Sequence, residues 1–159
     1  MKTVAATICV LLVCGLADAG DYMFQISNDP SAPCGKGQPP PKPHWTIRSG
    51  PQVAAELMDY FSGRDDSSTL VHTFPHGHFQ FCGRAERSNV YDALLDAASL
   101  SDLRHEKDLI AVVPYLASRQ FITAMDERLA RANLTAVVRT RIRRMRLAAT
   151  EALQRLGTR

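Results

Sequence analysis

Proline and glycine are segregated along this chain, and that division limits its architecture more than any other feature. Eight of the nine prolines and seven of the nine glycines fall between Gly20 and Gly83, whereas Arg84 to Arg159 holds only Pro114 and Gly157. Proline removes a backbone donor and fixes φ, and glycine weakens regular elements, so the earlier stretch is confined to short elements separated by turns. The later stretch is free to run as helices. The expected fold class is therefore α+β, mainly α. An N-terminal α+β part over 20–83 packs on a helical part over 84–159, as one compact domain.

Residues 1–19 read as an address. Lys2 supplies a positive start, Val4 to Leu16 is an apolar run, and Ala17-Asp18-Ala19 has the small-x-small form of a signal-peptidase site. The run is shorter than the roughly 20 apolar residues of a membrane span. Cleavage after Ala19 is expected, giving an exported protein, periplasmic or secreted. In the alternative, Leu11-Leu12-Val13-Cys14 serves as a lipobox with Cys14 as a lipid anchor, but Val13 stands where a small residue is wanted.

Within 20–83, Tyr22 to Ile26 and His44 to Arg48 read as short strands. Between them, Pro30, Pro33, Pro39, Pro40, Pro41 and Pro43 make 28–43 a stiff loop. Ser49-Gly50-Pro51-Gln52 has capping-box spacing and opens a helix whose stripe is Val53, Leu57 and Phe61, with Gly63 as its stop. Thr69 to Phe74 and His78 to Cys82 alternate around Pro75-His76-Gly77, which predicts a β-hairpin. Cleavage of the leader removes Cys9 and Cys14, and Cys34 and Cys82 remain. In an oxidising compartment they read as one disulfide stapling the N-terminal part. Such a bridge closes a loop of about 48 residues, worth roughly 4 kcal/mol in chain entropy.

The second part reads as an antiparallel group of about four helices. The first starts after Ser88 or Asn89 and runs through Val90 to Ala98. The second covers Glu106 to Ser118, with Pro114 expected to kink it. A third carries Phe121, Met125 and Leu129. In the fourth, capped by Asn133, Val138, Ile142, Met145, Ala149, Leu153 and Leu156 recur every three or four residues and form one narrow stripe.

Three features bear on chemistry. His72, His76 and His78 fall within seven residues, and imidazoles are favoured ligands of Zn²⁺ and Cu²⁺; no structural-zinc spacing accompanies them. The last twenty-one residues hold seven arginines against one acid, Glu151. Arg139, Arg143, Arg144 and Arg146 flank the apolar stripe, which makes this rim the candidate surface for binding another protein. Contact with an anionic membrane surface is the less favoured use. The arginines lack a nucleic-acid motif and interleaved aromatics, so no nucleic-acid partner is expected. The third feature is a lack of catalytic signatures. No G-x-S-x-G, H-E-x-x-H, P-loop or dinucleotide turn is present, so no enzyme and no cofactor are expected. Asp65-Asp66 and His105-Glu106 fit a polar loop and a helix start, respectively.

Asp108 to Leu116, with its internal Pro114, resembles the first helix of a HEAT-type repeat, and Arg146 to Gly157 is similar to the second. Phe121 to Arg131 intervenes, which is longer than an ordinary repeat allows. The resemblance implies a helical protein-binding surface with no catalysis of its own. The expected function is an exported protein-interaction module, of adaptor, inhibitor or immunity type. The alternative is a histidine-based Zn- or Cu-binding protein.

Overall fold

The computed structural model describes residues 22–26, 45–74 and 77–157. The leader, the proline-rich loop 28–43, Cys34 and His76 lie outside the described residues. The order of elements is β1 (Tyr22–Ile26), β2 (Trp45–Arg48), α1 (Gly50–Phe61), α2 (Thr69–Thr73), β3 (Gly77–Phe81), α3 (Arg84–Ala98), α4 (Glu106–Val112), a 3₁₀ turn (Val113–Leu116), α5 (Arg119–Leu129) and α6 (Ala136–Gly157). The mainly helical α+β character is as expected from the sequence.

The strands form one parallel sheet in the order β2-β1-β3, with Ile26 opposite Arg48 on one side and Phe81 on the other. Parallel neighbours cannot be joined by a tight turn. The chain accordingly leaves β2, passes through α1 and α2, and returns as β3 on the far side of β1. Successive strand residues point to opposite faces, yet Gln25 and Ile26 are each only 1% exposed. Both faces of the central strand are covered, as parallel sheets require.

This sheet overturns the expected hairpin. Thr69–Thr73 is a one-turn helix, and β3 pairs with β1 rather than with 69–74. The physical reason lies in Ser68 and Glu56. Ser68 Oγ accepts the Val71 N–H, and Glu56 Oε1 accepts the Leu70 N–H and the Ser68 hydroxyl, so α2 begins with its free donors satisfied. Glu56 is itself paired with Arg48. The buried positions Leu70, Val71 and Phe74 fit a helical turn, whereas alternation would have put Val71 opposite the other two.

α1 behaves as its sequence predicts. Ser49 and Gln52 exchange both capping-box bonds, and Gly63 adopts φ +73° just beyond the helix end. That left-handed conformation suits glycine, and a Cβ there would also come within 2.7 Å of Arg104 Cγ. α3 begins at Arg84, earlier than expected, because its first turn is largely polar and carries little apolar signal. It is buried on more than one face by Val90, Tyr91, Leu94, Leu95, Ala97 and Ala98, since α1, α4, α5 and α6 all pack on it. Pro114 ends the α-helical stretch at Val112 and turns it into the 3₁₀ segment. Thr135, rather than Asn133, opens α6: its Oγ1 accepts the Val138 N–H at 3.3 Å.

One apolar core runs through both parts of the chain, from Ile26 through Leu57, Phe61, Leu70, Phe74, Leu94 and Leu95 to Leu109, Phe121, Met125, Ile142, Met145 and Ala149. Tyr91 fixes α5 to α3: its ring stacks on Phe121 at 4.3 Å, and its hydroxyl reaches the Leu116 carbonyl and Ser118 Oγ. The helical group is not antiparallel throughout. Gln120 meets Ser88 and Arg128 meets Asp96, so α3 and α5 run parallel, whereas Asp126 meets Arg146 and Leu129 meets Arg139, so α5 and α6 run antiparallel.

Candidate functional site

The arginine rim of α6 is the leading candidate, and most of it is held by the body of the protein. Arg139 donates to the carbonyls of Leu129 at 2.8 Å and Arg131 at 3.4 Å, placing a cation over the end of α5 where the helix dipole favours one. Arg141, 9% exposed, donates to Leu100 O at 2.7 Å, Ala98 O at 3.4 Å and Glu106 Oε2 at 2.9 Å. Arg144 takes the other oxygen of Glu106 at 2.7 Å. Arg146 forks onto both oxygens of Asp126, and this hydrogen bond raises its pKa above the usual arginine value.

Arg143 differs from the rest. It is exposed and has no hydrogen bond or ion pair among the described residues. One turn further, Leu147 is 60% exposed on the side of α6 opposite the buried line of Val138, Ile142, Met145 and Ala149. Leu156 continues that buried line yet is 66% exposed, because the last turns of α6 extend past the core. The rim thus divides into Arg139, Arg144 and Arg146, which tie α6 down, and Arg143, which faces solvent.

The histidines do not share a hairpin. His72 is exposed on α2, edge-on to Tyr60 with ring centroids 6.0 Å apart, and His78 lies in β3 in register with Met23. Among the described residues, no three or more His, Cys, Asp or Glu side chains come together as a metal site.

A cluster that the sequence did not announce lies where α1, the 62–68 loop and the start of α4 meet. The His105 ring stacks on Tyr60 at 4.3 Å. Its Nε2 is 3.0 Å from Asp66 Oδ1, and its Nδ1 is 3.7 Å from Asp108 Oδ2. The Tyr60 hydroxyl donates to Asp108 Oδ2 at 2.7 Å. Burial first, then this carboxylate, push the Tyr60 pKa up to about 12, so the phenol stays protonated as a donor. Both imidazole nitrogens face carboxylates, and the ring joins the loop to α4. The acidic pair at 65–66 and His105 were visible separately in the sequence; their meeting depends on the Arg104 N–H bond to the Phe61 carbonyl, 43 positions away in the chain.

Among the described residues no helix is long and apolar enough to cross a membrane. No family model, no curated protein and no solved structure matches this chain.

Proposed function

We propose that this chain is an exported protein-interaction module, of adaptor, inhibitor or immunity type, that meets its partner through the outer ridge of α6. One observation carries the reading. Arg139, Arg141, Arg144 and Arg146 are engaged within the body, whereas Arg143 is unpaired among the described residues and stands beside exposed Leu147. A free cation next to an isolated apolar side chain, on the solvent face of a 22-residue helix, suits a partner with an acidic rim around an apolar centre. Export rests on the leader-like form of 1–19, and the HEAT-type resemblance implies the same kind of helical binding surface. The further staple we propose, Cys34 to Cys82, is supported by the disulfide-bonded state of Cys82 directly after β3.

The test is capture from the exported fraction of the source with the wild-type chain and with Arg143→Glu/Leu147→Glu. Among the described residues neither side chain has a polar partner to lose, so the double variant should keep its stability to within about 0.5 kcal/mol. A protein held by wild type and lost by the variant supports the ridge. Equal capture by both removes it. Reversal of Arg146 is unsuitable, because it breaks the fork onto Asp126.

A further inference from the structure

A cleft of about 570 Å³ opens between the parallel helices α3 and α5, away from the α6 ridge. Arg84, Ser88 and Asp92 line it from α3, each one turn after the last, and Gln120, Thr123 and Glu127 line it from α5. Ala124, half-buried against the core, leaves open the space that a larger side chain would fill.

Among the described residues unpaired charge occurs elsewhere, as at Arg143, but here charges of both signs line one cleft. Arg48, Arg64, Arg128, Arg141, Arg144 and Arg146 all hold carboxylates elsewhere in the molecule. In the cleft, Arg84 at one end and Asp92 with Glu127 towards the other have no ion pair or hydrogen-bonding side-chain partner among the described residues. Asp96, one turn past Asp92, is by contrast closed off by Arg128 at 2.7 Å. Arg84 and Asp92 are eight positions apart, about 12 Å along a helix. Both helices run the same way, so the acidic end is reinforced from both walls, and Ser88 and Gln120, hydrogen-bonded to each other at 3.4 Å, lie between the ends.

We propose that this cleft binds a short zwitterionic peptide in extended form, its carboxylate on Arg84 and its ammonium between Asp92 and Glu127. Three extended residues span roughly 10 Å, close to the helical rise of about 12 Å between positions 84 and 92. A guanidinium grips a carboxylate with two parallel hydrogen bonds, and two carboxylates suit an ammonium, which has only donors. The Glu86 carboxylate already lies against Gly83 at the start of α3, so the Arg84 side chain rather than the helix end takes the anion.

The probe is tri-alanine with free termini, titrated into the ¹⁵N-labelled full chain and followed by amide chemical shifts. N-acetylated and C-amidated tri-alanine are run beside it. The expected result is saturable shifts in α3 and α5 at millimolar peptide, with each blocked form bound about tenfold more weakly, as loss of one charge-assisted contact predicts. Arg84→Gln should erase the preference for the free carboxylate alone. Asp92→Asn with Glu127→Gln should erase the preference for the free ammonium alone. The same spectra show that each variant is folded. Failure to shift the cleft amides at millimolar peptide, or equal affinity for free and blocked forms, overturns the proposal.

Discussion

Gln25 is the least expected residue in the core. It lies in the central strand in register with Ile47 and Gln80, is 1% exposed, and both side-chain polar atoms are buried without a hydrogen-bond partner among the described residues. A buried amide left unpaired costs about 1–3 kcal/mol. Gln25→Met keeps the length and removes the polar atoms. It should therefore raise the urea-unfolding free energy by about 1–3 kcal/mol. A loss of stability instead would mean that a bound water or ligand satisfies the amide. Nothing in the sequence marks Gln25, since alternation alone would put a glutamine on a wet face. Its burial follows from both faces of β1 being covered.

At the scale of elements, sequence and structure agree where the local signals are strongest. The Ser49 capping box, the Val53–Leu57–Phe61 stripe and the left-handed Gly63 all appear as the spacing predicts. The 69–74 segment is ambiguous by pattern alone, because six residues can alternate and also fit a short helical turn. Ser68 as a cap and Glu56 as a distant acceptor decided between the two. Arg141 shows the same dependence on distant contacts. On a helical wheel it is one of several rim cations, yet it reaches the carbonyls of Ala98 and Leu100, at and just past the end of α3, together with Glu106 in the first turn of α4. Arg141→Met should lower stability by about 2–3 kcal/mol, measured by thermal or urea unfolding, because it leaves one oxygen of Glu106 and two carbonyls without their donor. An unchanged midpoint would show that Arg144 and water can serve those groups alone.

At the scale of the whole molecule, Tyr60 and Asp108 join the two parts of the chain, and their bond is sensitive to alkali. The folded-state pKa of Tyr60 is about 12 against an ordinary 10.0, so the native state holds this proton more tightly than the unfolded chain. The stabilisation is complete below pH 10 and is lost as pH rises from about 10 to 12. Unfolding free energy measured across that window should fall more steeply for wild type than for Tyr60→Phe, and parallel curves would refute the assignment. What the sequence determined by itself was local: two short strands, the capped start of α1, the interruption at Pro114 and the apolar stripe of α6. These depend on residues within one or two turns of each other. Only the tertiary structure decided that the strands pair in parallel, that His105 meets Asp66 and Tyr60, that α3 and α5 open a charged cleft, and that Arg143 is left unpaired among the described residues while its neighbours are engaged. Those outcomes depend on contacts between residues tens of positions apart, whose partners are chosen by the packing of the core rather than by spacing along the chain.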